Sequence, residues 1–163
     1  HMPNFKINFY LKLIFFLCLI AIFSAYYIEY ILGYQPCNLC LIERIPYALS
    51  LFIITVNYKF KRYEKIFILL LILIFIFLLI VSIYHVGIEQ GFFQESFVCN
   101  LKDTTDILSK EELLKELQKK TVSCKDVTFR FFGFSLTTIN ILVSLLLIVL
   151  LTKIFTFYEE IKK

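Results

Sequence analysis

Gln35-Pro36-Cys37-Asn38-Leu39-Cys40-Leu41-Ile42-Glu43-Arg44 is a Cys-x-x-Cys pair set between two apolar runs. Leu13 to Ile28 precedes it, bracketed by Lys12 and Glu29, and Ile45 to Tyr58 follows it without a charge. A bilayer is crossed by a helix of about 20 apolar residues. Two further runs of that kind follow. The expected fold is therefore all-α: a polytopic membrane protein, residues 1–163 forming one four-helix bundle. The helices are expected near 11–32, 41–58, 66–86 and 131–152, with outer loops at 33–40 and 87–130. Composition agrees, because 60% of the chain is hydrophobic and a soluble domain runs near 45–50%. Lys6, Lys12 and Phe23-Ser24-Ala25 faintly resemble a cleaved leader. The apolar run continues past that point to Leu32, so the first segment reads as a span.

Lysine and arginine orient such a chain, because they gather on the inner side. Lys59, Lys61, Arg62 and Lys65 crowd the loop after the second helix, while residues 33–40 carry no basic group. Lys6 and Lys12 flank the start, and Lys153, Lys162 and Lys163 follow the last helix. Both termini are thus expected inside and the cysteine-bearing loops outside. Loop 87–130 also carries basic residues, which weighs against this, but they are less dense than those inside. The net charge of +4 forms no basic stripe with interleaved aromatics, so no nucleic-acid partner is expected. Within the long loop, Ser109-Lys110-Glu111-Glu112 reads as a capping box. Leu113, Leu114 and Leu117 would then share one face of a short amphipathic helix, packed on its own loop or lying on the membrane surface.

Five cysteines are present. Cys18 is alone within the first helix and reads as a small packing residue. Cys37, Cys40, Cys99 and Cys124 share the outer side, where disulfides persist. Four cysteines allow three pairings, and a local Cys37–Cys40 pair leaves Cys99–Cys124. The second pair is either a staple or an exchange-active disulfide; its place beside a Cys-x-x-Cys favours exchange. No metal site is expected, because structural zinc sites use two close cysteine pairs and Cys99 and Cys124 are far apart in sequence. Haem attachment fails, since Leu41 stands where a His is needed.

If the second helix starts near Leu39, Cys40 lies at its N-terminus, and a helix N-terminus and a nearby cation both lower a thiol pKa. Arg44 is one turn deeper on the same face, whereas Glu43 would oppose the shift. Arg44 also reads as a snorkelling residue paired with Glu43 or Glu29. Pro46 is expected in the first turn, where no intrahelical N–H is lost. Electrons leaving a dithiol here need a carrier dissolved in the bilayer, and no Gly-x-Gly-x-x-Gly fingerprint offers another. A quinone meets that need. Arg44 could stabilise its developing charge, and His85, at the outer end of the third helix, is a second candidate.

At these residues the sequence resembles the DsbB family of membrane disulfide-generating enzymes, across nearly the whole chain. Gln35-Pro36-Cys37-Asn38-Leu39-Cys40 with Glu43-Arg44 is its most specific part. Phe132-Gly133-Phe134-Ser135-Leu136 looks like the family's entry to the fourth helix. The resemblance implies a bacterial inner-membrane protein-dithiol:quinone oxidoreductase with redox-active disulfides Cys37–Cys40 and Cys99–Cys124. Its implied partner is a periplasmic DsbA-like thioredoxin-fold oxidase, attacking at Cys99, whose neighbours Phe97, Val98 and Leu101 are apolar. Cys124 would then exchange with Cys37, leaving Cys40 to face a ubiquinone or menaquinone beside Arg44 and His85. Asn140, in the fourth helix, reads as an interhelical hydrogen bonder without a catalytic part. Two other classes compete: a four-helix structural protein with inert disulfides, and a vitamin-K-epoxide-reductase-like enzyme, in which a fused redox partner is common.

Overall fold

The computed structural model describes residues 2–95, 99 and 123–162. The chain runs α1 (Met2–Tyr30), α2 (Asn38–Lys59), a 3-10 turn (Lys61–Tyr63), α3 (Glu64–Glu89), β1 (Arg130–Phe131), β2 (Phe134–Ser135) and α4 (Leu136–Lys162). Among the described residues, four helices are long and apolar enough to cross a membrane. The expected surface helix after Ser109, and the apolar neighbours Phe97, Val98 and Leu101, lie outside the described residues.

The helices differ from the expected bounds mainly at the ends. α1 starts nine residues before 11, because Asn4, Lys6 and Asn8 offset the hydropathy of apolar residues in first turns that are helical nonetheless. α4 starts at Leu136 rather than 131 and runs to Lys162. Residues 130–135 are instead a two-stranded hairpin, with Arg130 opposite Ser135 and Phe131 opposite Phe134. Phe132 and Gly133, at φ 51° and 83°, form its turn. Two consecutive positive φ angles match the right-handed twist of the flanking strands, which the usual turn types do not. An apolar run containing Phe and Gly hides this break from a hydropathy reading. Ser135 then starts α4: its Oγ accepts from the Thr138 backbone N–H at 3.3 Å, an N-cap bond.

Among the described residues, the larger buried cluster runs as a seam along the bundle. Ile7, Leu11, Ile14 and Cys18 supply it from α1, at helical spacing. Ile54 of α2, Leu71, Phe75 and Leu78 of α3, and Leu147 and Leu151 of α4 complete it. The opposite faces are also apolar: Phe16, Ile20, Phe23, Phe52 and Ile80 are exposed. An apolar exterior is stable only against hydrocarbon, and helices satisfy their own backbone there. Cys18 is fully buried in the seam, the packing position expected of it.

Pro46 departs from the expectation. α2 begins at Asn38, so Pro46 lies in the helix interior, not in its first turn. An interior proline in a membrane helix is accommodated by neighbouring helices and local hydroxyls. Ser50 donates from Oγ to the Pro46 carbonyl at 2.7 Å. At the far end, Glu64 accepts from Lys61 Nζ at 3.0 Å and from Asn57 Nδ2 at 3.2 Å, fastening the tight α2–α3 turn.

Candidate functional site

Cys37 is the N-cap of α2, with extended backbone at φ −79° and ψ 171°. Its sulfur takes the place that a Ser or Asp oxygen holds in other helices, accepting from the Cys40 backbone N–H at 3.3 Å. Cys40 follows one turn into the helix, and its Sγ stands 2.8 Å from that of Cys37. The two are free cysteines, so the pair is a dithiol. The helix N-terminus therefore favours the Cys37 thiolate, where the sequence spacing favours Cys40. Its pKa is lowered to about 5, chiefly by the Cys40 thiol hydrogen bond, against burial, with His85 adding to the lowering.

The second pair is closed: Cys99 and Cys124 form a disulfide, with Cα atoms 5.8 Å apart. It is not remote from the first. Cys37, Leu39, Ile88 and Cys124 form one buried cluster, with Cys40 and Cys99 packed against it. The segment after Cys124 is tied down by Glu95, which accepts from the Lys125 backbone N–H at 3.1 Å and from the Ser123 hydroxyl.

His85 joins the two pairs. It is 1% exposed, enclosed by the bundle although it lies near the end of α3. Its Nε2 lies 3.6 Å from Cys37 Sγ and 3.2 Å from the Cys124 carbonyl. Its Nδ1 lies 3.2 Å from Glu43 Oε1 and 3.2 Å from Thr137 Oγ1. Thr137 in turn donates to Glu89 Oε1 at 3.0 Å, and Ser135 donates to Glu89 Oε2 at 2.9 Å. Each neighbour of the ring has an atom that can accept a hydrogen bond, so both nitrogens are held in place. Glu43 is 3% exposed and takes a further contact from Asn140 Nδ2 at 3.5 Å. Asn140 accepts from the Tyr47 hydroxyl at 2.9 Å, which makes it the interhelical hydrogen bonder expected. A buried carboxylate is tolerable only with such partners.

Arg44 stands apart from this network. Its Nη1 donates to Glu29 Oε2 at 2.5 Å, and its guanidinium lies 5.1 Å from the Tyr26 ring centroid. Of its two expected partners, Glu29 holds it and Glu43 goes to His85. A cavity of about 290 Å³ opens between these groups. Cys37, Cys40, Arg44 and His85 line it, its apolar walls come from α1 and α4, and residues 126–129 cover one side.

Sequence reading missed Glu89 and Thr137 and took Glu43 as a charge opposing the Cys40 shift or a partner of Arg44, not as a partner of His85. The signal present was spacing: Ser82, His85 and Glu89 fall on one face of α3 at steps of three and four. Nothing in the sequence says which face of α4 meets it.

A four-helix membrane bundle that gathers two cysteine pairs around one buried histidine is a membrane thiol–disulfide protein. The family model for disulfide bond formation protein DsbB matches residues 8–154, and the chain belongs to that family of disulfide-forming membrane oxidoreductases. It is also 29% identical over 147 residues to the uncharacterized protein RP370 of Rickettsia prowazekii (strain Madrid E), covering 89% of this chain and 85% of that one. No solved structure matches.

Proposed function

We propose that the protein reoxidises a soluble DsbA-like thioredoxin-fold dithiol protein at the outer face of the bacterial inner membrane and passes the electrons to a membrane quinone. Both termini lie on the cytoplasmic side in this reading, as the lysine-rich 59–65 loop suggests. The observation that carries it is the meeting of both cysteine pairs at His85, beside a cavity that reaches the unbonded pair.

The residues fit a quinone head. The cavity of about 290 Å³ is near the ~300 Å³ lower end of small-molecule pockets. Leu17, Ile20 and Ala21 of α1 and Val143 of α4 give apolar walls, with Arg44 and Asn140 as polar groups. A quinone supplies an acceptor of two electrons and two protons that stays dissolved in the bilayer. The reduced partner attacks Cys99, releasing the Cys124 thiolate. Cys124 attacks Cys37 of the oxidised first pair, breaking Cys37–Cys40 and leaving Cys40 as the thiolate on the cavity side. The partner's second thiol then displaces Cys99 and closes the partner's own disulfide. Cys99 attacks Cys124, which re-forms Cys99–Cys124 and frees Cys37, so that the first pair is left as the dithiol. One of its two protons is then held between the sulfurs and the other on His85, oriented by Glu43. Re-forming Cys37–Cys40 gives up two electrons and both protons. Arg44, held by Glu29 and Tyr26, sets a positive charge on the cavity wall.

The test is quinone reduction by the purified protein supplied with a reduced thioredoxin-fold partner, in the parent and in each single cysteine variant. Cys37, Cys40, Cys99 and Cys124 should each be needed. Full activity in Cys99→Ala or Cys124→Ala would make the second pair a staple and end the relay.

A further inference from the structure

We propose that the reduced Cys37–Cys40 pair and His85 form a binding site for one zinc ion, held by two thiolates and one imidazole, with a fourth position open to the cavity. The sulfurs of Cys37 and Cys40 and a ring nitrogen of His85 all lie within 4.8 Å of one another. Zinc bonds of about 2.3 Å to sulfur and about 2.0–2.1 Å to nitrogen give tetrahedral edges of about 3.6 Å for S···N and about 3.8 Å for S···S. The Cys37–His85 edge is already 3.6 Å. The Cys37–Cys40 edge, at 2.8 Å, has to open by about 1 Å to reach the zinc value. Cys40 is half-buried and borders the cavity, so its sulfur has somewhere to move.

A second observation, independent of the donor set, points the same way. A zinc-bound histidine nearly always gives its other ring N–H to a carboxylate, which fixes the ring and raises its basicity. Here Glu43 Oε1 faces His85 Nδ1 at 3.2 Å, and Asn140 contacts Glu43 Oε2 at 3.5 Å. The nitrogen on the cysteine side is Nε2, the one left for metal. Two thiolates and a neutral imidazole also cancel the charge of a divalent cation, which a buried site requires.

Binding changes no oxidation state. Both sulfurs stay at the thiol level, and the remaining thiol proton and the Nε2 proton leave to water. A Cys37–Cys40 disulfide offers no thiolate, so zinc and the disulfide exclude one another. The site is thus open only in the reduced protein, and zinc there holds the pair reduced. This does not depend on quinone being the acceptor.

The test uses the full chain carrying Cys99→Ser and Cys124→Ser, so that reducing the first pair does not free other outer thiols. The protein is reduced, freed of reductant and titrated with zinc chloride against a chromogenic chelator. One zinc per chain is expected when reduced, and none after Cys37–Cys40 has been oxidised. Adding Cys37→Ser or Cys40→Ser should abolish that zinc. Glu43→Gln should weaken binding about tenfold to a hundredfold, the usual effect of losing such a supporting carboxylate. His85→Ala should weaken it at least as much, with helicity checked by circular dichroism; if that variant does not fold, Glu43→Gln decides. Equal binding by the oxidised and reduced proteins overturns the proposal. So does unchanged affinity in Glu43→Gln, or in a folded His85→Ala.

Discussion

Cys37 in the reduced pair should titrate far below an ordinary thiol, and this is measurable directly. The perturbation is pH, applied to reduced protein carrying Cys99→Ser and Cys124→Ser. Its pKa falls from 9.0 to about 5, through the Cys40 thiol first and His85 after it, against burial. At pH 7 the thiolate fraction is then about 99%, against about 1% for a thiol of pKa 9, a difference of roughly a hundredfold. The assay is thiolate ultraviolet absorbance against pH, which needs no reagent to reach the buried sulfur. The midpoint should lie near 5. Cys40→Ala removes the largest cause and should raise the midpoint most; His85→Ala removes the 3.6 Å contact and should raise it less. The sign for stability follows from linkage. A depressed pKa stabilises the folded reduced protein above the unfolded value of about 9, and that stabilisation is lost as pH falls towards about 5. A midpoint near 9 in the parent protein would refute the placing of the Cys37 sulfur against the Cys40 thiol and His85.

Arg44→Gln should raise the apparent quinone KM by roughly tenfold to a hundredfold, the worth of one charge-assisted contact of about 1.5–3 kcal/mol. It should leave thiol exchange with the soluble partner intact, and Arg44→Lys should be intermediate because it keeps the charge and loses the planar fork. Slowed exchange with normal quinone kinetics would make Arg44 a structural partner of Glu29. Cys18→Ala should retain turnover while lowering the unfolding free energy in detergent by about 1 kcal/mol, since it leaves a small void in the seam; lost turnover would contradict its packing role. Ser135→Ala removes the α4 N-cap bond and a donor to Glu89, so thermal unfolding should report a loss of about 1 kcal/mol. Gly133→Ala forces a side chain onto a residue at φ 83° and should destabilise by about 1–2 kcal/mol; an unchanged midpoint would argue against the positive-φ hairpin turn.

The amino-acid sequence by itself determined that this is a four-helix membrane protein. That follows from a property summed over some 20 residues, which errors at any one position do not disturb. It also determined the candidate cysteines and the Cys37–Cys40 spacing, because a Cys-x-x-Cys is local and its distance is set by one helical turn. Helix starts were less legible, and each miss has a local cause. Phe131–Ser135 reads as membrane helix by hydropathy, yet positive φ at Phe132 and Gly133 turns it into a hairpin. Placing the start of α2 at Asn38 moved the N-terminal backbone donor onto Cys37 and pushed Pro46 inside the helix. Only the tertiary structure decided the rest. His85 and Glu43 are 42 residues apart, and Thr137 is 52 residues beyond His85. No periodicity within one helix states which faces of α2, α3 and α4 meet, because each helix is apolar nearly all round in a membrane. Packing chose the faces, and the polar side chains buried there had to find one another, since hydrocarbon offers them no other partner.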